Sequence, residues 1–373
     1  MSRSDWQHVR KVLCVRLDSL GDVLMCTPAM RAIKGDSPKR VLTLLTSAGG
    51  AAVARYIPEL DGVMAYPAPW MKSGRDVAPA IDADILSRIA ARQFDAAVIF
   101  TSYSQSALPA ALLCHLAGIP LRLAHCRENP YLMLSDWVAE PEPDKLIRHE
   151  VQRQLDLVAS VGWQSATTGL SFKVPDPARA TAYRLLAQQG IGDGEKFILM
   201  HPGASAPSRR YPARLWAQVI SGLVARRRGA IVLTGEANET ALVDEIRETT
   251  GARVISLAGQ LDLGQLGAVI EMATVMVSNN TGPAHMAAAL GTPLVDLYAL
   301  TNPQHTPWQV AHRVLYHDVP CRFCYKSLCP EGHHACLSKL EPMRVIQAVC
   351  SLMEQAPGRQ TGASILPWPA QRN

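Results

Sequence analysis

Apolar positions in this chain fall into short unbroken runs separated by amphipathic stretches. "KVLCVRL" (11–17), "RVLTLLT" (40–46), "AAVIFTS" (96–102), "FILMHPG" (197–203), "AIVLTGE" (230–236), "RVISLAG" (253–259), "TVMVSNN" (274–280) and "PLVDLYA" (293–299) are continuous rather than alternating. Strands of that kind are buried on both faces, as in a parallel sheet covered by helices. Helical patterns lie between them, for instance over 213–228 and 237–249. Strand–helix alternation through the whole length predicts a doubly wound α/β architecture.

The rhythm breaks between 140 and 180. "AEPEPDK" is a polar, proline-rich turn, "LIRHEVQRQLDLVASVG" a helix, and "FKVPDPARATAYRLLAQQG" leads into the next set of strands. A domain junction is therefore expected near 175, beside Pro175 and Pro177, dividing the chain into a first domain of 1–175 and a second of 176–355. Two Rossmann-like halves would then face each other across a cleft, where such folds bind ligands. The tail over 356–373 reads as disordered.

Composition narrows the class without naming it. The 373 residues are 48% hydrophobic and 18% charged, enough to bury two ordinary cores. A formal charge of +5, spread thinly, suits an anionic substrate or a membrane surface and is too diffuse for a nucleic-acid partner. Arg226, Arg227 and Arg228 fit cations at a helix C-terminus. No apolar stretch of signal length precedes the first strand, and "LPAALLCHLAGIPLRLA" is too short and interrupted for a span, so it reads as a buried helix. The expected setting is cytoplasmic, where nine cysteines imply reduced thiols or a metal site.

Four segments could carry chemistry. In "SNNTGPAHMAAALGTPLVDLYAL" (278–300), nearly free of charge but for His285 and Asp296, a strand feeds a helix through a glycine-containing turn. Thr281 is a candidate cap, Pro283 suits the helix start, and the free amides there would favour a phosphate, with His285 one turn in. An ordinary strand–helix connection with a core histidine is the alternative. In "VRLDSLGDVLMCTPAMRAIK", Asp18, Gly21 and Asp22 follow the first strand and Thr27–Pro28 could cap or kink the next helix. Asp22 is placed either as a general base or as a helix cap. "HPGASAPSRRYPARLW" offers small residues, Ser205, Ser208, Arg209 and Arg210, a set suited to a diphosphate or, less specifically, a solvated arginine pair. In "CRFCYKSLCPEGHHAC", Cys321, Cys324, Cys329 and Cys336 crowd beside His333 and His334, so a structural zinc or iron is one reading and reduced thiols the other. Asp82 and Asp84 read as acids of a helix start. No G-x-G-x-x-G and no P-loop is present, which argues against nicotinamide cofactors and NTP hydrolysis.

Taken together and in order, the first, second and third of these motifs and "CxxCYKxxCPxGHHxCL" resemble the bacterial heptosyltransferases, glycosyltransferase family 9, over about residues 10–350. That resemblance implies the GT-B fold and inverting transfer of a heptose from an ADP-activated donor to lipopolysaccharide inner core, with no cofactor required. It implies a nucleotide-sugar donor, a glycan or glycolipid acceptor and a place at the cytoplasmic side, peripheral to the inner membrane. Matched by position, it implies Asp22 as base, Arg209 on the donor phosphates, Glu239 near the donor ribose with Glu236 as fallback, and Thr281, Gly282 and His285 around the diphosphate. The family usually has Asp where this chain has Asn280, an amide that can orient a sugar hydroxyl but supplies no charge. An epimerase or hydrolase on the same fold, and a non-catalytic nucleotide-binding relative, are the competing readings.

Overall fold

The computed structural model describes residues 3–355 other than 36, 38, 73–77 and 252–253. The tail expected from 356 lies outside the described residues. The chain forms two compact units, Met1–Ser171 and Phe172–Asn373. Each is a six-stranded sheet, and every pairing between neighbouring strands is parallel.

In the first unit, β1 (Lys11–Arg16), β2 (Val41–Thr46), β3 (Gly62–Ala65), β4 (Ala96–Ile99), β5 (Leu121–Cys126) and β6 (Asp136–Ala139) lie in the order β3-β2-β1-β4-β5-β6. In the second, β7 (Phe197–His201), β8 (Ala230–Leu233), β9 (Ile255–Ser256), β10 (Val275–Asn279), β11 (Leu294–Leu297) and β12 (His312–Leu315) lie in the order β12-β11-β10-β7-β8-β9. Both orders are the doubly wound arrangement in which the winding direction reverses beside the first strand, between β1 and β4 and between β7 and β10. These are the two Rossmann-like domains of a GT-B fold. Loops leaving the carboxyl ends of those four strands define the ligand crevice of each unit.

Burial explains which strands the sequence reveals. In β1 and β2 every residue after the first is buried, and β4, β5, β7, β10 and β11 are buried throughout. The second core joins Ile198, Met200, Leu233 and Val277 of the sheet to Trp216 and Ile220 of the helix Ala213–Ala225 and Val345 and Val349 of the helix Pro342–Glu354. β3, β6 and β12 escape the pattern: they are edge strands with partly exposed residues, as is β9, which the run 253–259 nevertheless marks. β5 escapes it because its run is fused to the preceding helix. The window taken as a single buried helix is in fact the helix Leu108–Leu116 followed by β5. Among the described residues no helix is long and apolar enough to cross a membrane.

Candidate functional site

In the second unit the loops at the β7–β10 reversal converge. The carboxamide of Asn279, fully buried at the end of β10, donates to the Pro202 carbonyl at 2.7 Å and accepts from the Tyr211 amide at 3.2 Å. This one side chain therefore staples both ends of the 202–211 loop to the neighbouring strand. Within that loop Arg210 is turned back onto the Ala204 carbonyl at 2.8 Å, while Ser205 is exposed. Arg209 ends a short 3-10 turn, Pro207–Arg209, and its charge reaches the buried Asp296 and Tyr298 behind the loop.

Glu239 lies on the other side of the same loop. Its carboxyl packs so closely against Gly203 that a Cβ there would fall 2.1 Å from it. Only glycine allows that approach. The carboxylate also accepts the Glu236 amide at 2.9 Å, so Glu239 holds the inward position and Glu236 is exposed. His201 Nε2 stands 3.9 Å from Glu239, but burial drives the imidazole down to about 4, so the pair is not ionic near neutrality. Its Nδ1 meets Thr234 Oγ1 at 3.1 Å.

The helix Gly282–Leu290 begins directly after β10 and ends at Gly291, whose φ of 80° is the left-handed stop that glycine accommodates. Thr281 occupies the cap position with extended backbone, yet its hydroxyl does not cap the helix. It turns back to donate to the Asn279 carbonyl at 3.2 Å. Pro283 removes one amide and Ala284 donates to the Thr281 carbonyl at 3.1 Å, which leaves the amides of Thr281 and Gly282 at the head of the helix. His285 is buried one turn in. Asn280 is also buried, donating to Asp296 Oδ2 at 3.2 Å and to the His305 carbonyl at 3.0 Å. Ser205, Arg209, Glu239, Asn280, Thr281, Gly282 and His285 all belong to this one end of this one sheet.

The first unit carries a different chemistry at its own reversal. Arg16, fully buried at the end of β1, meets three carboxylates: Asp18 at 2.9 Å, Asp22 at 3.2 Å and Glu150 at 2.8 Å. Asp22 also accepts from the Ser19 amide at 3.1 Å and the Ser19 hydroxyl at 2.6 Å, closing a capping box on the helix Leu20–Lys34. Cap and active-site carboxylate are therefore compatible roles for the same side chain. Gln105, from the loop after β4, donates to Asp18 at 2.6 Å. Burial pushes the Asp18 carboxyl up, Arg16 pulls it down, and the negative charge of Asp22 adds to the rise. Thr27–Pro28 does not start the helix but lies inside it.

Sequence reasoning missed Asn279 as the staple, Arg16 as the common partner of the acids, and the depth of Asp296. A polar residue ending a buried strand was the available signal for Asn279 and Arg16, and a charged residue inside an apolar run the signal for Asp296.

The four-cysteine metal site is not assembled. Among the described residues no group of three or more His, Cys, Asp or Glu side chains is placed to hold a metal ion. Cys321 and Cys336 instead pack against an apolar cluster of Tyr298, Leu300, Val319 and Phe323. Burial raises both thiols, which favours the protonated form. Cys321 Sγ stands 3.9 Å from His333 Nε2. All nine cysteines are free. The loop has a mechanical role: the Lys326 and Ser327 carbonyls accept from the Ser208 hydroxyl at 2.8 Å and the Ser208 amide at 3.0 Å, bracing the turn that carries Arg209.

Comparison with known proteins gives the family and the fold. The lipopolysaccharide heptosyltransferase 2 of Escherichia coli K12 is 26% identical over 372 residues, covering 92% of this chain and 99% of that protein. A glycosyl transferase family 9 structure from Veillonella parvula superposes with a TM-score of 0.78 at 22% identity, covering 92% of this chain and 97% of that one. An E. coli heptosyltransferase solved with ADP-2-deoxy-2-fluoro heptose gives 0.64 at 18% identity, covering 91% and 99%. The family model for glycosyltransferase family 9 (heptosyltransferase) matches residues 84–335, more than half of the chain. The chain belongs to glycosyltransferase family 9, the heptosyltransferase family.

Proposed function

We propose that this glycosyltransferase moves a heptose from an ADP-activated donor to a lipopolysaccharide-type inner-core acceptor, with inversion. The observation that carries the reading is the convergence of Arg209, Glu239 and the head of the helix Gly282–Leu290 at the winding reversal of the second sheet. A guanidinium and uncapped amides suit a diphosphate, and a carboxylate beside them suits the ribose hydroxyls. The relative solved with an ADP-heptose analogue supports that donor class. In this reading residues 176–355 bind the donor and residues 1–175 the acceptor.

Departure of ADP is assisted by Arg209 and the Thr281 and Gly282 amides, groups already held in place where negative charge develops. His285 lines the same helix face. The acceptor hydroxyl gives its proton to Asp22, held on its helix by Ser19 and Arg16, and attacks the anomeric carbon from the face opposite the leaving diphosphate. No cofactor enters this scheme. The work is cytoplasmic, with peripheral contact to the inner membrane where a glycolipid acceptor is displayed.

Asp22→Asn tests the base. ADP binding by calorimetry should persist while transfer falls about a hundredfold or more. Near-normal turnover would remove Asp22 from that role. Incubation with donor alone separates transfer from hydrolysis or epimerisation, since a transferase leaves the donor largely intact without an acceptor.

A further inference from the structure

Among the described residues, Asp296 is the one acid buried in the sheet behind the donor loops. It lies in β11 opposite Ser278 of β10 and Val314 of β12 and is fully inaccessible. One oxygen accepts from the Asn280 amide at 3.2 Å, and the other has no hydrogen-bond partner among the described residues. Asn280 gives its second amide hydrogen to the His305 carbonyl. A primary carboxamide has two hydrogens, and both are committed, so the amide oxygen is what Asn280 retains for a ligand. That oxygen belongs to the residue immediately before Thr281 and Gly282.

We infer that Asp296 is a positioning residue of the donor site, whose buried carboxyl holds the Asn280 amide so that Asn280 offers an uncharged acceptor to a hydroxyl of the donor sugar. An acceptor oxygen repels phosphate oxygens and selects a hydroxyl donor, so the contact is to the sugar and not to the diphosphate. Neutrality follows from burial, which lifts the carboxyl to about 8 against the opposing pull of the Asn280 hydrogen bond and the Arg209 charge. Arg209 and Tyr298 are the charged and titratable groups that act on it, while its strand neighbours Ser278 and Val314 carry no charge. A neutral Asp296 leaves the Arg209 guanidinium available to the diphosphate. Ionisation would divert that charge.

The inference rests on the donor reading and deepens it, and the test separates the two. In the full chain, affinity for ADP and for ADP-heptose, with donor KM and kcat, is measured between pH 6 and 9 for the unaltered protein, Asp296→Asn and Asp296→Ala. Asp296→Ala removes the acceptor that holds Asn280. It should weaken ADP-heptose by about tenfold while weakening ADP, which lacks the heptose and its hydroxyls, far less. Asp296→Asn keeps an acceptor and cannot ionise. It should bind the sugar nucleotide more tightly than Asp296→Ala and lose the rise in donor KM expected of the unaltered chain above about pH 8. Equal weakening of ADP and ADP-heptose, or the same alkaline profile with and without Asp296, would overturn the inference. Failure of the unaltered chain to bind either nucleotide would overturn the donor reading and the inference with it.

Discussion

Arg16 shows how much one buried side chain organises. Three carboxylates share its guanidinium, and Gln154 adds a hydrogen bond to Glu150 at 2.9 Å. Deleting the cation leaves buried acids uncompensated, so Arg16→Met should destabilise the first unit by about 3–5 kcal/mol, read by urea unfolding. Asp296 predicts a pH dependence of the opposite kind. Its folded carboxyl is raised from 3.8 to about 8, so the stability it contributes is complete below the unfolded value and is lost as pH rises through that window. Stability should therefore fall by up to about 1.4 kcal/mol per pH unit from this group alone. Asp296→Asn should gain on the unaltered protein between pH 5 and 8 and hold a constant advantage above it; parallel pH profiles of denaturation midpoint would refute this. Gly203→Ala should act locally, driving a methyl group into the Glu239 carboxyl and weakening ADP binding in calorimetry, since Glu239 must shift.

Among the elements, the helix Leu20–Lys34 is the instructive one, because it runs through Pro28 without stopping. Proline has no amide to give the Leu24 carbonyl, and the Thr27 hydroxyl supplies the missing donor at 2.7 Å. The same hydroxyl accepts from the Ser171 amide at 2.9 Å. Thr27→Val keeps the shape and strands both groups, at an expected cost of about 1–3 kcal/mol in chemical denaturation. This helix also marks the limit of what is legible in sequence. Thr27–Pro28 looks like a boundary because local rules place proline at helix ends, whereas the compensation lies in the preceding hydroxyl and in a segment far along the chain. Central strands such as β1, β7 and β10 are readable because burial on both faces demands unbroken apolar runs. The edges β3, β6 and β12 face fewer neighbours and lose that signature. The candidate donor residues were legible by motif, but the partnership of Asn280 with Asp296 is tertiary, crossing from a strand end to the middle of another strand.

For the molecule as a whole, two sheets with separate cores imply two cooperative blocks. Calorimetric scanning should resolve two transitions, and ADP should raise only the one belonging to the second unit, by about 2.7 kcal/mol at a hundredfold excess over Kd. A single transition would contradict the two blocks, and an equal shift of both would contradict the proposed place of the donor in residues 176–355.

The repeated strand order has a further consequence. One winding pattern, used twice, gives two sheet ends of the same topology and different charge. The first gathers Asp18, Asp22 and Glu150 around a single arginine already spent on them, and the second sets Arg209 on a loop that packs against one carboxylate, Glu239. On the proposed reading a diphosphate sampling both would be turned away from the acidic end and retained at the other. Charge then does what topology cannot: it tells the two ends apart.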